Sequence, residues 1–390
     1  MKAVLGAAAL SLCLGMRCDT AVPNGPAAGV VQFVRSTNDS LNLYLTAPNL
    51  SVQDWLRGNF WRMLVYSPYF DNKLSWYPNG WVYLDSYAIY TSSALGNQHP
   101  EWILKDASGN RLYIPWGCSD GTCPQYAGDI SNAGFREWWM AQAAQLLSHG
   151  YKGLFIDDVN MEFRVGNGAG AFVHPIDPNT GLPMKWNAWR QYMATFMTEV
   201  RNAFPNIEIA HNAIWYAGPS GVRDMDPSIQ QEIAAANYIN IEAGVNDPGL
   251  TGGDGQWSLN ALLEYIDRLH AAGKGAVLDG VPLDAAGQEY ALANYFLISS
   301  GSDALGNNTA TPANWWKGFG VNLGAPLAVR TTWNGLLRRD FSNGIAVVNP
   351  PQSSTITATL PGSYQAVGGG PVITSITLGP SQGVVLVRTQ

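Results

Sequence analysis

The chain has 390 residues, of which 46% are hydrophobic and 13% are charged, and its formal net charge is −7 at pH 7. This length is enough for one large domain and a small one, and the acidic balance argues against the basic surface of a nucleic-acid-binding protein. Charged residues average about 25% in soluble proteins, so we expect uncharged polar side chains to supply much of this surface.

The amino-terminal sequence MKAVLGAAALSLCLGMRC combines one early lysine with an apolar run. This pattern predicts a secretory signal peptide over residues 1–22, and the run is too short to span a membrane. We therefore expect a secreted or periplasmic protein without an integral membrane segment. A lipid anchor on Cys13 or Cys18 is the alternative, although neither cysteine follows a lipoprotein processing sequence.

Short apolar segments alternate with helical patterns through most of the chain. This alternation predicts an α/β fold, a (β/α)₈ TIM barrel over residues 28–322. The predicted strands are Val30–Val34, Arg62–Tyr66, Val82–Tyr90, Gly153–Asp158, Ile207–Asn212, Tyr238–Ala243, Gly275–Asp279 and Phe296–Ser300. The clearest predicted helices are Asn132–His149, Trp186–Phe204, Leu259–Ala272 and Gln288–Leu297.

A long insertion over residues 91–129 interrupts this alternation after the third strand. The sequence KDASGNR within it has apolar residues on both sides and predicts a hairpin. Cys118 and Cys123 enclose the turn sequence Ser-Asp-Gly-Thr, which favours a disulfide in an oxidising compartment. The alternative is half of a zinc site, but the scattered histidines do not supply the remaining ligands at the required spacing.

The character of the sequence changes after about Leu323, where the helical periodicity stops. Short β-type segments separated by Asn, Pro and Gly predict a small antiparallel β-sandwich-like domain over residues 323–390. The linker to the barrel is short, so we expect this domain to pack on the barrel in a fixed arrangement. Its predicted strands are Ile345–Val348, Thr355–Leu360, Val372–Leu378 and Gly383–Val387.

The sequence GLFIDDVNM, residues 153–161, contains the strongest functional signal. An apolar strand runs directly into Asp157 and Asp158, and Asn160 follows. Chemistry in such barrels occurs at the carboxyl ends of the strands, and carboxylates there are costly to desolvate. The alternative is that one aspartate caps the next helix or pairs with an arginine, since adjacent strand residues point to opposite faces.

Other predicted strands also end in polar residues. Glu242 ends the sixth strand as Asp157 ends the fourth, so the two acids should face each other across the barrel mouth. Glycoside hydrolysis needs this arrangement of one proton donor and one nucleophile or base. A salt bridge is the alternative for Glu242. The remaining strand-end candidates for substrate binding are Asp85, His211, Asn212 and Asp279, with Asp303 after the predicted eighth strand.

Two of these candidates have an equally ordinary structural explanation. His211 is the alternative partner of a nearby carboxylate, and Asp279 is as well suited to structural pairing as to ligand binding. Most of the fifteen tryptophans should fill the core, but Trp76, Trp116 and Trp215 are candidates for stacking on sugar rings.

These motifs together resemble a known family. The segments Asp-Ile-Ser-Asn at 129–132, Gly-Leu-Phe-Ile-Asp-Asp-Val-Asn at 153–160 and TTWNGLLRRDFSNGIAVVNP at 331–350 resemble hypothetical glycosyl hydrolase family 15. The resemblance covers about residues 55–390, and is more distant to the endo-α-1,4-polygalactosaminidase family and the α-galactosidase-like clan. It implies that Asp157 and Glu242 are the catalytic pair, and the glutamate favours the polygalactosaminidase-like comparison.

The main hypothesis is therefore a secreted glycoside hydrolase acting on an extracellular or cell-wall polysaccharide, with neither cofactor nor metal. Asp157 would be the nucleophile or base, and Glu242, buried and protonated near neutral pH, would be the general acid. One alternative is a non-catalytic carbohydrate-binding protein on a degenerate barrel. Another is a metal-assisted barrel hydrolase with Asp157, Asp158 and Asp279 as ligands. The sequence does not indicate an oligomeric state.

Overall fold

The computed structural model of the chain describes residues 28–216 and 225–389, so the predicted signal peptide, with Cys13 and Cys18, lies outside the described residues. Within them, eight parallel strands form the predicted closed barrel. The strands up to the end of the barrel are β1 (Phe33–Ser36), β2 (Arg62–Val65), β3 (Gly80–Asp85), β4 (Ala88–Tyr90), β5 (Gln125–Ala127), β6 (Gly153–Asp157), β7 (Glu208–Asn212), β8 (Tyr238–Ile241), β9 (Gly275–Leu278) and β10 (Ala304–Gly306). The barrel order is β1-β10-β9-β8-β7-β6-β3-β2.

Helices cover the outside of the barrel, and none among the described residues is long and apolar enough to cross a membrane. Several begin at an N-cap side chain that accepts a backbone N–H, such as Asn132, Ser258 and Asp284. The helices are α1 (Asp39–Thr46), α2 (Leu50–Asn59), α3 (Leu95–Gln98), α4 (Ala133–Leu147), α5 (Trp186–Ala203), α6 (Pro227–Ala235), α7 (Leu259–Ala271) and α8 (Ala285–Ile298).

One apolar layer fills the barrel interior, and each barrel strand contributes a residue to it. The layer consists of Val34, Leu64, Trp81, Phe155, Ala210, Tyr238, Val277 and Ala304. The rings of Trp61, Trp81 and Tyr238 lie 5.1–5.5 Å apart. Trp61 and Trp81 precede or begin their strands, so this cluster closes the amino-terminal end of the barrel and leaves the carboxyl ends of the strands to form the open mouth.

Two predicted strands are wrong in position. Phe296–Ser300 is the end of helix α8 and the loop after it, whereas the eighth barrel strand is β10. Helix α8 is buried on all sides between the barrel and the carboxyl-terminal sheet. A helix that is apolar on every face has a continuous apolar sequence like that of a buried strand, so the sequence pattern does not distinguish the two. Predicted strand Val82–Tyr90 breaks after Asp85, because the Asp85 carboxylate accepts the backbone N–H groups of Tyr87 and Ala88 and closes a turn.

The long insertion forms the predicted hairpin and disulfide. Lys105 and Arg111 pair antiparallel, and the Asp106 carboxylate accepts the N–H groups of Ser108 and Asn110 in the turn between them. Cys118 and Cys123 are bonded to each other. The strands on either side of the hairpin and the disulfide, β4 and β5, pair outside the barrel as a two-stranded sheet.

The carboxyl-terminal region forms an antiparallel sheet that packs on helix α8. Among the described residues its strand order is β11-β12-β13-β16-β14-β15, with β14 pairing with both β15 and β16. Arg339 donates to the carbonyl groups of Phe296 and Ser299 at the end of α8 and fixes the two parts together. Its strands are β11 (Thr331–Trp333), β12 (Leu336–Phe341), β13 (Gly344–Asn349), β14 (Ile356–Ala366), β15 (Ile373–Leu378) and β16 (Gln382–Arg388).

Candidate active site

Asp157 is the last residue of β6 and is held by donors from neighbouring strands. Its Oδ2 accepts the Tyr83 hydroxyl at 2.7 Å, and its Oδ1 accepts the Asn212 side-chain amide at 2.8 Å. The backbone N–H of Asp158 also donates to Oδ1, at 2.8 Å. Because the three donors leave the carboxylate little freedom to rotate, its position is set by β3, β6 and β7 together.

A second amide orients Asn212. Asn240, on β8, donates from Nδ2 to Oδ1 of Asn212 at 2.9 Å. This bond turns the NH₂ group of Asn212 towards Asp157, since the oxygen of the amide is already occupied. Tyr83 and Asn240 were not predicted from the sequence, although each lies two residues before a strand-end acid and therefore shares its face of the strand.

Asp158 lies in a different environment from its neighbour. It has a left-handed backbone (φ 53°), and its Oδ1 accepts the Asn160 amide at 2.8 Å. Burial raises the pKa of Asp158 to about 7, and the charge of Asp157 adds to the rise. The Asp158 carboxyl is also hydrogen-bonded to the carboxyl of Asp85. Burial raises the pKa of Asp85 well above its ordinary range. The two carboxyls therefore retain a shared proton at mildly acidic pH.

Glu242 directly follows β8, and its side chain is exposed rather than buried as expected. It is close enough to Asp158 and Asp279 for its charge to raise the pKa of both. Burial is the main reason that the pKa of Asp279 rises to about 6, and its Oδ1 accepts the amide of Asn308 at 2.8 Å. Glu242 is therefore near two carboxyls whose pKa values are raised.

A cleft of about 460 Å³ brings most of the predicted site residues together at the barrel mouth. Arg164 and Tyr216, which sequence analysis did not select, also line it, and Arg164 donates to the Tyr216 hydroxyl at 2.5 Å. The predicted residues that line the cleft are Asp157, Asp158, Asn160, Asn212, Glu242, Trp116 and Trp215. Asp85 adjoins it through Asp158, and Asp279 lies beside Glu242.

Three predicted polar or aromatic candidates lie elsewhere. His211 is completely buried, and its Nδ1 is 2.6 Å from Glu232 on α6, so it is the neighbour of a carboxylate rather than part of the cleft. Trp76 lies between β2 and β3, and its ring packs near Tyr77 at 6.2 Å. Asp303 precedes β10 instead of following the eighth strand, and it contacts His270 at 2.7 Å.

Metal ligation is the alternative role for three of these acids, Asp157, Asp158 and Asp279. Within residues 28–216 and 225–389, no group of three or more His, Cys, Asp or Glu side chains is placed to hold a metal ion. Asp157, Asp158 and Asp279 therefore do not form a ready ligand set. Their oxygens instead accept hydrogen bonds from Tyr83, Asn160 and Asn308 respectively.

Comparison with known proteins gives a family match and a set of similar folds. The sequence model of hypothetical glycosyl hydrolase family 15 matches residues 63–345. A noncanonic maltogenic α-amylase from Thermotoga neapolitana is 11% identical, with a TM-score of 0.52 over 93% of this chain and 99% of that one. An α-amylase from Lactobacillus plantarum gives the same four values.

The glycoside hydrolase domain of PelA from Pseudomonas aeruginosa is 14% identical, with a TM-score of 0.43 over 72% of this chain and 95% of that one. No curated protein matches the sequence. At these identities the likeness to the amylases shows a common barrel fold and does not transfer a substrate.

Proposed function

The chain belongs to hypothetical glycosyl hydrolase family 15, and on this premise we propose that it hydrolyses O-glycosidic bonds of an extracellular or cell-wall polysaccharide. The observation that carries the proposal is the placement of Asp157 and Glu242 in one cleft at the barrel mouth. A carboxylate held by three donors and a second, solvent-accessible carboxyl provide the two groups that glycosidases require.

In the proposed reaction, the bond between the anomeric carbon and the leaving oxygen breaks. Glu242 gives its proton to the leaving oxygen, and Asp157 acts at the anomeric carbon as nucleophile or as base for water. Water supplies the hydroxyl of the new reducing end and the proton that restores Glu242. Tyr83 and Asn212 contribute by holding Asp157 in one orientation before substrate arrives.

The roles of the neighbouring acids follow from their protonation. A protonated Asp158 keeps a second negative charge away from Asp157 in mildly acidic solution. The cleft then contains one fixed carboxylate, Asp157, at the place where positive charge develops on the sugar ring. We infer that Asp158 and Asn160 contact sugar hydroxyl groups rather than the reacting bond.

A reducing-sugar release screen tests the proposal. The purified protein is incubated with bacterial, fungal and plant polysaccharides, in parallel with Asp157→Asn, Glu242→Gln and the exposed control Glu137→Gln on α4. We expect release from at least one glycan, a loss of at least about 10³-fold in the two site variants through removal of a reacting group, and full activity in the control.

Two other outcomes would favour the alternatives. Binding to a glycan without any release would support the carbohydrate-binding protein. Release that a chelator abolishes and that Glu242→Gln retains would support the metal-assisted hydrolase. Melting temperatures of the variants should stay close to that of the unmodified protein, because both side chains are at the mouth rather than in the core.

A further inference from the structure

The cleft around Asp157 is the middle of three adjoining depressions at the barrel mouth. One neighbour, of about 600 Å³, shares Trp116 and Arg164 with the cleft. The other, of about 430 Å³, shares Trp215, Tyr216 and Asp247 with it. The two outer depressions have no lining residue in common, so the groove continues from the cleft along two separate sets of residues.

Exposed aromatic rings line the first direction, which we call the Trp116 side. The side chains of Trp116, Phe172 and Trp186 are 47%, 62% and 39% exposed. Trp116 and Phe172 pack edge to face at 6.2 Å, and Trp186 stacks on Phe163 at 3.9 Å. Large exposed aromatic clusters are costly in water and mark binding surfaces. Their rings offer apolar faces to the C–H groups of sugars.

The other direction, the Trp257 side, is also aromatic. Trp257 is 43% exposed, and its ring lies 4.6 Å from Tyr216 and 6.3 Å from Trp215. These residues come from the segments after β7 and β8, whereas the Trp116 side comes from the insertion and the segment after β6. The aromatic surfaces on the two sides of the acids are thus built by independent parts of the chain.

Charge restricts the kind of glycan that fits this groove. Among the described lining residues of the three depressions, five have carboxyl side chains and one, Arg164, has a guanidinium group. The carboxyl residues are Asp157, Asp158, Glu162, Glu242 and Asp247. Asp157 and Asp247 lie in the central cleft, and Asp247 also lines the Trp257 side, so a polyanionic chain would be repelled there. Neutral or positively charged sugars would not be.

We propose that the groove binds a non-anionic polysaccharide with sugars on both sides of Asp157 and Glu242, and that the protein cuts such chains internally. The inference rests on the proposed function and specifies its substrate class and mode of action. An enzyme that removes terminal sugars needs a wall against the chain end on one side of the acids, whereas among the described residues aromatic surface adjoins the cleft in both outer depressions.

Product size during early hydrolysis tests this inference. The neutral polysaccharides of the release screen are compared with carboxylated and sulfated ones, and product length is measured by size-exclusion chromatography against the number of new reducing ends. We expect the mean chain length to fall several-fold while few bonds are broken, with no release from the polyanions. Release of only mono- or disaccharides from an otherwise full-length polymer would overturn the inference and leave the proposed hydrolase intact.

Variants on each side test the two surfaces separately. Trp257→Ala and the double variant Trp116→Ala/Phe172→Ala should each raise KM for long chains about 3- to 10-fold, as expected for loss of aromatic contacts, with a smaller effect on short oligosaccharides. On end-labelled oligosaccharides each variant should shift the cleaved bond in the opposite direction. Trp333→Ala on the carboxyl-terminal sheet is the control. If either side variant matched that control, an internal binding mode would be contradicted.

Discussion

Tyr83 shows how a residue that does not react can control one that does. Its hydroxyl donates to Asp157 from β3, and its ring lies 4.9 Å from that of Tyr66 and 6.4 Å from Phe155. The rings fix where the hydroxyl points, and the hydroxyl fixes the carboxylate. In the proposed mechanism Tyr83 is therefore a positioning residue.

We predict that Tyr83→Phe lowers kcat about tenfold or more with little change in KM, because it removes one hydrogen bond to a charged group and keeps the ring. Steady-state kinetics on the glycan identified by the screen measure this. Tyr66→Phe is the matched control, since its hydroxyl makes no described hydrogen bond to Asp157. Equal loss in both variants would contradict a specific role for the Tyr83 hydroxyl at Asp157.

Asp158 gives the folded protein a dependence on pH. Its pKa rises from an ordinary 3.8 to about 7 on folding, mainly through burial. Between these values the unfolded chain releases the proton and the folded chain keeps it, so the free energy of unfolding falls as pH rises. Below pH of about 4 both states are protonated and the effect vanishes.

We predict that Asp158→Asn raises the melting temperature at pH 7 and has little effect at pH 4. The stability of the unmodified protein should fall with pH in this window by up to about 1.4 kcal/mol per pH unit from this group. The variant should reduce the dependence of stability on pH, because it removes the titrating carboxyl of Asp158 and, with it, a charge beside Asp85. Thermal melts at several pH values measure it, and an effect of the same size at every pH would contradict the assignment.

At the scale of elements, the amino-terminal end of the barrel is closed by a buried ion pair. Arg62 on β2 donates through Nε and Nη2 to both oxygens of Glu208 on β7, each at 2.7 Å. The indole of Trp81 donates to the same carboxylate at 2.9 Å. The pair joins β2 and β7 across the barrel interior, with β3 and β6 between them in the barrel order.

We predict that Glu208→Gln lowers the free energy of unfolding by about 3–5 kcal/mol, because Arg62 would remain buried without a counter-charge. The exposed pair of Arg330 and Asp267 is the control, and Asp267→Asn should cost less than about 1 kcal/mol. Denaturant unfolding measures both. A cost for Glu208→Gln as small as that of the control would mean that water reaches the pair.

Helix α8 shows why an element can be detected and still be assigned wrongly. Its end, Tyr295–Ile298, is buried on every side, so the apolar pattern predicts burial correctly. Periodicity cannot separate a short buried strand from a helix covered on both faces, and the deciding partner is the sheet that packs on it from more than forty residues away. The true strand β10 is only three residues long and carries little pattern of its own.

At the scale of the whole molecule, one end of the barrel is closed by packed side chains and the other is open. The Trp61, Trp81 and Tyr238 cluster and the Arg62–Glu208 pair close the amino-terminal end. The groove with its acids and aromatic surfaces occupies the mouth. This division lets the segments after the strands vary in sequence without loss of the core.

The sequence by itself determined the alternation of strands and helices, and hence the barrel, because apolar periodicity is a local property of the chain. It also placed Asp157 at the end of the fourth strand and Glu242 at the end of the sixth, and it indicated the disulfide. These features depend on neighbours within a few residues.

Only the tertiary structure decided which of the strand-end residues meet. It turned His211 towards Glu232, left Glu242 exposed and brought Tyr83, Asn212 and Asn240 around Asp157. The protonation of Asp158 is likewise decided by the tertiary structure, since its pKa depends on burial and on charges from other parts of the chain. Such contacts join residues far apart in the chain, and no local pattern records them because their energy arises only when the barrel closes.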